Sequence, residues 1–544
     1  MGTGLKSLII TIVVLLFVAG CRRNETDTGL RAYIAGLQLD STRLLLGTVA
    51  DSLEVPRDIE WGPGGYLWYC EQKGTVGRIS LNNGKKEILW RIPDVYHRKS
   101  TGVLSMALHP NFEKEPYIYV HYTYAEKDSN FLDRIESRVI RMRMENDKPG
   151  STQTVLNAIP GNTFHNGSSM MFGPAGMLWL STGDAGETAK TQLSGTLYGK
   201  VLRMNPDGSV PSGNPYPGSL VWSRGHRNIQ GLCSGNGLVY ASEHGPNNDD
   251  ELNLIEKGKN YGWPDVHGFC DLKNEMLYCA DSVIREPLKS WTPTVAVAGL
   301  EYYESAAIPE WKNSLLLANL KGRALRVLRL SGNGSAIESE HLFLQKVLGR
   351  IRAVATGPKG EIYLATSNLD WHPGHQPWMY DSLPTANGDR IVLLQPLPES
   401  EKAGWAHLGE MPILREEPEA ITLESENFAF SASEEELSAG QKLYLTHCAS
   451  CHRPDGKGNP GFIPPLVNSE WVSGNAGRLI DVTLAGLNSP IEVNNIRYEG
   501  EMPGYKHLDD DAIRDILNFV RTEFGGVSGN IIAADVMHQR KGLK

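Results

Sequence analysis

The sequence predicts a mainly β protein, a six-bladed β-propeller followed by a small all-α domain. Three observations carry that expectation. Paired apolar, β-rich runs recur six times between residues 44 and 398, and an acidic, unpatterned stretch over 399–432 ends the repetition. Helical spacing then takes over in 433–525, around a Cys-x-x-Cys-His motif. The 57 glycines and 31 prolines suit a fold with many tight turns, and 544 residues exceed one hydrophobic core.

From the N-terminus, Lys6 precedes LIITIVVLLFVA (8–19), a twelve-residue apolar run too short to span a membrane comfortably. It ends in VAGC. Residues 1–21 therefore read as an export signal whose Cys21 resembles the lipidated cysteine of bacterial lipoproteins, with 22–43 as a tether. An ordinary signal peptide cut near Gly20, or a retained anchor, is the competing reading. Each puts the mature chain outside the cytoplasm, the first on a membrane of the cell envelope facing periplasm or exterior, where attached haem and disulfides persist.

The repeating units follow. RDIEWGPGGYLWYCEQ (57–72), VLSMALHPNFEKEPYIYVHYT (103–123), SSMMFGPAGMLWLSTGD (168–184) and IQGLCSGNGLVYASEHG (229–245) each join two apolar runs across a turn. VAVAGLEYY with SLLLANLKG (295–322) and RAVATGPKGEIYLATSN (352–368) complete six. One such unit cannot bury both faces, so the six must stack in a ring. Cys70 and Cys233 lie in strand-like apolar contexts and read as inert core thiols. Cys270 and Cys279, nine apart in a loop-like stretch, are candidates for a disulfide that spacing alone does not establish.

The net charge is −10 with no basic run, which gives nucleic-acid binding no support. Residues 399–426 hold eight glutamates against Lys402 and Arg415, as a solvated linker would. A capping box of Ser433 and Glu436 opens the first helix, with Leu437, Gly440 and Tyr444 at helical spacing. The last helix sets Ile513, Ile516, Leu517 and Val520 on one face, between three aspartates and Gly525. Residues 526–544 read as a loose tail.

In THCASCHRPDG (446–456), Cys448 and Cys451 have the spacing that attaches haem covalently, and His452 is the proximal iron ligand. Met502, in YEGEMPGY, is the candidate sixth ligand, and its thioether would raise the reduction potential as an electron acceptor needs. His507 is the rival. A zinc site or a redox dithiol is the alternative for the motif, disfavoured by export, the following helix and the placed methionine. This layout, including IPPL (463–466), resembles class I cytochrome c.

The propeller places chemistry at blade edges. His165 and Asn166 stand before one strand, and Asp184 ends its partner, where a carboxylate orients an imidazole as a base. Arg227 and Asn228 again precede a strand. Lys321, Arg350 and Arg352 add cations at equivalent edges, a set fitted to a ligand carrying several negative charges. His109 belongs to a turn, and His226 and His244 support loops.

WSRGHRNIQGL, SEHGPNNDDELNLIEKGKNYGWP (242–264) and GKVLRMNPDGS (199–209) resemble the soluble glucose/sorbosone dehydrogenase family, over about 350 residues. The resemblance implies a six-bladed propeller with pyrroloquinoline quinone (PQQ) and Ca2+ at its mouth. It makes His165 the catalytic base, Asp184 its orienting acid, and Arg227 and Asn228 contacts of the quinone. Lys321, Arg350 and Arg352 then bind the quinone's carboxylates, and Gly245 and Pro246 offer carbonyls to the calcium beside it. Glu251, Tyr261 and Asp271 fall where a second, structural calcium is held.

The implied activity is oxidation of a sugar, an aldose or related polyol or aldehyde, by hydride transfer to PQQ. Electrons then pass singly to the fused haem c and onward to a cytochrome or respiratory component. Two positions depart from the family. Ser100, in RKSTGVL, stands where a glutamine is common, and Trp291 is one place off a tryptophan that stacks beside substrate. Two other classes compete: a propeller that binds carbohydrate or protein without catalysis beside a separate electron-transfer cytochrome, and a lactonase-type hydrolase.

Overall fold

The computed structural model describes residues 32–127, 133–246, 248–271, 273–375, 380, 383–397, 411–416, 438–458, 463–487, 489–498, 502, 504–506, 508–528 and 530–542. The export signal with Cys21, most of the acidic linker, the Ser433/Glu436 capping box and His507 lie outside them.

Six antiparallel sheets follow one another along the chain. Their first strands are Pro56–Gly62, Val103–Leu108, Met170–Phe172, Ile229–Gly235, Val297–Tyr303 and Ile351–Thr356. Each first strand touches that of the next blade, and the sixth touches the first, so the ring is closed. This is the predicted six-bladed propeller.

The strands are apolar on both faces because both faces are covered. Leu178 and Leu180 pack with blade 2 and Trp179 with blade 4. Leu232 likewise joins the core shared with blade 3, and its neighbour Cys233 the core shared with blade 5. Alternation along a strand therefore selects between two dry interfaces rather than between core and water. Cys70 and Cys233 are buried, and burial pushes both thiols well up, as inert core residues require.

Blade 6 completes the ring with the start of the chain. Arg43–Leu53 pairs antiparallel with Asp389–Pro396, running from Leu44 opposite Pro396 to Leu53 opposite Asp389. Ala32–Gln38 adds a further strand, and Ile413–Leu414 pairs parallel to it. Residues 32–43 are thus part of the sheet rather than a tether, and the linker region contributes a strand. The cause is hydrophobic, since Ala35, Leu37 and Leu39 are buried in the core between blades 5 and 6.

The C-terminal domain is helical, with one short hairpin, Ile491–Val493 with Ile496–Tyr498. Its first described helix is Ala439–His447, capped by Ser438, whose side chain accepts from the Gln441 amide. Asp510–Glu523 buries Ile513, Ile516, Leu517 and Val520, the face read from sequence. The tail is not loose. Ala533–Gly542 is a helix whose Val536 is fully buried, and Arg540 donates to Asp510 and to the Leu508 carbonyl. Among the described residues no helix is long and apolar enough to cross a membrane.

Asp389 locks blade 6 to the entry of blade 1. One oxygen accepts from Thr366 Oγ1 at 2.9 Å and the Asn368 amide at 2.6 Å, the other from the Val55 and Leu369 amides at 3.3 Å each. Asp389→Ala would strand these buried donors and lower unfolding free energy by about 2–4 kcal/mol, measured by urea titration.

Candidate active site at the propeller mouth

Loops that begin first strands and end second strands converge on one end of the ring. His165, Asp184, Arg227, Asn228, Lys321, Arg350 and Arg352 all line a single cavity there, of about 1090 Å³. Gly245 and Pro246 are on its wall, as is Ser100.

His165 is held in a left-handed turn at φ +50°, and its Nδ1 lies 2.9 Å from Asp184 Oδ1. The carboxylate accepts, so Nδ1 carries the proton and Nε2 keeps its lone pair. The glycine of TGD is forced by this approach, because a Cβ on Gly183 would stand 1.8 Å from the His165 carbonyl oxygen. Asp184 also accepts from the Gly186 amide at 3.0 Å and from Trp263 Nε1 at 2.9 Å. Burial alone would raise its pKa, but His165 and Arg227 outweigh that and hold it below the ordinary carboxylate value. Burial, reinforced by Arg227, lowers the pKa of His165 although Asp184 opposes both.

Arg227 donates from Nη1 to the His244 carbonyl at 3.2 Å and lies over the Trp263 ring, 5.3 Å from its centre. Its backbone amide donates to Glu243. Its Nε is buried without a hydrogen-bond partner, and so is that of Arg352. Asn228 is a strut, its Oδ1 accepting from the Gly167 amide at 3.2 Å and Gln230 Nε2 at 3.1 Å. Lys321 Nζ donates to Thr294 at 3.2 Å. Arg350 is committed on three sides, to the Ser367 carbonyl (3.1 Å), Tyr380 (2.6 Å) and Asp370 (2.6 Å).

Gly245 is fixed by Asp250, which accepts from its amide at 2.9 Å and from the Val295 amide at 2.8 Å. Burial pushes Asp250 up to about 6. Glu251 and Tyr261 border a second, small cavity with Glu243 and Asp249. Asp271 is not there. It is exposed on the turn entering the loop that the Cys270–Cys279 disulfide closes, so the expected trio does not assemble. Among the described residues no three His, Cys, Asp or Glu side chains form a metal-binding group.

Trp291 is also misplaced by sequence reasoning. It sits in the outer strand of blade 4, buried in the core between blades 4 and 5, with Nε1 donating to Glu340 at 2.8 Å. The tryptophans that line the mouth are Trp263 and Trp371. Sequence reasoning did not single out Asp370, which lies past the second strand of blade 6, four residues beyond Thr366, where Asp184 lies two beyond Thr182. His226 supports a loop as read, bonded to Glu243 at 2.9 Å and Ser223 at 2.8 Å.

Cys448, Cys451, His452 and Met502 line the same cavity as the propeller residues. His452 Nδ1 lies 3.0 Å from the Pro464 carbonyl and so donates, leaving Nε2 as a ligand atom. Met502 is packed on the cytochrome core, its backbone paired with Leu487 at 2.9 Å both ways.

The Glucose / Sorbosone dehydrogenase family model matches residues 53–372, and the Cytochrome c model matches 437–523. The chain belongs to the Glucose / Sorbosone dehydrogenase family. It is an oxidoreductase of that family carrying a cytochrome c domain. The PQQ-bound aldose sugar dehydrogenase of Streptomyces coelicolor is 32% identical, with a TM-score of 0.55 over 64% of this chain and 96% of that one. Quinoprotein glucose dehydrogenase B of Acinetobacter calcoaceticus is 27% identical over 58% of this chain and 83% of its own length. Cytochrome c-552 of Thermus thermophilus is 40% identical over 16% of this chain and 68% of its own.

Because its folded pKa is depressed below 6.5, His165 takes up its proton later than the unfolded chain does as pH falls. It therefore contributes stability above pH 6.5 that is lost on acidification through the window beneath that value. In an NMR titration the His165 ring should titrate below 6.5, and Asp184→Asn, by removing the opposing carboxylate, should move the midpoint lower still.

Proposed function

We propose that this chain is a PQQ- and Ca2+-dependent sugar dehydrogenase that delivers its electrons to its own haem c. The observation that carries the proposal is that the His165–Asp184 pair and the haem-attachment residues line one cavity.

The residues fit each group. Two buried guanidinium nitrogens without partners, on Arg227 and Arg352, together with Lys321, suit an anionic tricarboxylate. Carbonyls at Gly245 and Pro246 with the nearby Asp250 supply hard oxygen donors for calcium. Cys448 and Cys451 keep their thiols outside any disulfide, and His452 presents Nε2. When bound, PQQ supplies a carbonyl carbon that takes up hydride, calcium polarises it, and haem c accepts single electrons.

The chain does the rest. His165 Nε2 takes the proton of the reacting hydroxyl, and Asp184 fixes the tautomer that makes this possible. Trp263 holds the second Asp184 oxygen and covers Arg227, so base and cation keep their spacing. Arg227 stabilises negative charge developing on the quinone oxygen. Export by residues 1–21, anchoring through Cys21 and onward transfer to another redox protein complete the proposal.

Reconstitution with PQQ and Ca2+, then a sugar panel, should bleach the oxidised haem spectrum. His165→Ala should slow haem reduction about 10²–10⁴-fold while PQQ still binds. Lys321→Ala should instead weaken PQQ uptake about tenfold, read by cofactor titration. If no sugar reduces the haem, the non-catalytic binding propeller is the better reading.

A further inference from the structure

We propose that the substrate is an anionic aldose, a sugar bearing a carboxylate, seated by Arg57, Arg98 and Lys99; this rests on the dehydrogenase reading above.

Arg57 opens the first strand of blade 1 and lines the mouth cavity. It is 7% exposed, and its Nε is buried with no hydrogen-bond partner. Among the described residues its guanidinium makes no hydrogen bond or salt bridge. A buried guanidinium left this way is costly unless a ligand meets it. Its neighbours cannot. Asp370 is engaged by Arg350 at 2.6 Å and faces Arg352 at 3.6 Å. Asp58 accepts from the Ile59 and Met106 amides, and burial pushes it up to about 7. Arg352 is a repulsive neighbour, its own pKa driven down by burial and by Arg57.

Arg98 and Lys99 are exposed on the loop between blades 1 and 2, line the same cavity, and make no side-chain hydrogen bond or salt bridge among the described residues. Their loop is fixed against the catalytic one. Ser100 Oγ donates to the Thr163 carbonyl at 2.7 Å, two residues before His165. Gln72 Nε2 donates to the Lys99 and Thr101 carbonyls at 2.9 Å each. Lys99 is held at φ +56°, a conformation its side chain does not favour. Two cations are thus carried on a loop that is tied to the one bearing the base.

Charge balance points the same way. The propeller residues lining the cavity include seven arginines and lysines against four aspartates. A tricarboxylate offsets that excess of three, and a divalent cation then restores two positive charges. A neutral sugar leaves them unmatched, whereas a uronate carboxylate meets Arg57 with a charge-assisted bond.

The test compares haem reduction by glucose, glucuronate and glucose 6-phosphate in the full PQQ- and Ca2+-loaded chain. Glucuronate should exceed glucose in kcat/KM by about tenfold at low ionic strength, and the advantage should shrink as salt is added. Arg57→Gln should lower the glucuronate-to-glucose ratio about tenfold with PQQ affinity within about twofold. Lys99→Gln, which changes an exposed side chain and leaves the Lys99 carbonyl in place, should lower the ratio severalfold.

Preference for the phosphate over the carboxylate would overturn the carboxylate assignment, and equal use of glucose and glucuronate would overturn the proposal. An Arg57→Gln variant that loses PQQ affinity and slows both sugars alike would assign Arg57 to the cofactor's seat and overturn it too. In each of these cases haem reduction persists and the dehydrogenase reading stands. Absence of haem reduction by any sugar removes that reading and this inference together.

Discussion

Ring closure is the constraint on which everything else in the propeller depends. Each blade has two apolar faces, and an open stack would leave two of them in water. Pairing Arg43–Leu53 with Asp389–Pro396 removes both ends at once. Joining strands so far apart in sequence carries a loop-closure cost, but that cost grows only logarithmically with length. The apolar gain is local and large: Val49, Ala50 and Leu53 enter the core between blades 6 and 1, and Leu44 and Leu46 the one between blades 5 and 6. Closure brings the loops of all blades to a common mouth, so side chains from residues 57 to 380 share one cavity.

Within that mouth, two aspartates on comparable loops have different electrostatic roles. Asp184 and Asp370 each follow the second strand of a blade. Asp184 faces an imidazole and an indole N–H, and the result is a neutral base with a fixed tautomer. Asp370 faces two guanidiniums and a histidine, which hold its pKa well below the ordinary value although burial pushes the other way. It secures cations instead of tuning a base. Arg352, by contrast, has its pKa driven well down by burial and by Arg57, with Arg350 adding to the repulsion. Positive charge is concentrated at the mouth beyond what its carboxylates neutralise.

The periodic features were legible in the sequence. Six paired runs, the His165 and Asp184 spacing across one hairpin, and the Cys448–His452 motif each depend on short-range rules of strand pairing or ligand spacing. What escaped was non-local. Trp291 stands one place off a tryptophan expected at the pocket, and its strand register opposite Asp250 turns it into the core. Asp271 follows the family-like segment in sequence, but it is exposed on the loop that the disulfide closes. Arg57 looked like any polar start to a strand, and only the depth of its burial sets it apart. Ala32–Gln38 and Ala533–Gly542 were read as tether and tail because termini are commonly loose, whereas buried Leu37 and Val536 tie them down.

The union of the two domains was the least legible feature, and the reason is physical. A cavity wall formed by Trp263, Tyr278 and Asp265 on one side and Ile463, Tyr498 and Lys506 on the other carries no motif. Each residue is ordinary alone. Yet this wall governs how the parts can act together. A base fixed by Asp184 is of use only where a reacting hydroxyl can reach Nε2, and a haem bound through Cys448 and Cys451 only where electrons can reach it. Placing both on one cavity lets a single segment, which bears Trp263 and contains the Cys270–Cys279 disulfide, border both. That segment holds Asp184 through the indole and lines the shared cavity through Tyr278, so one stretch of chain serves both halves of the site.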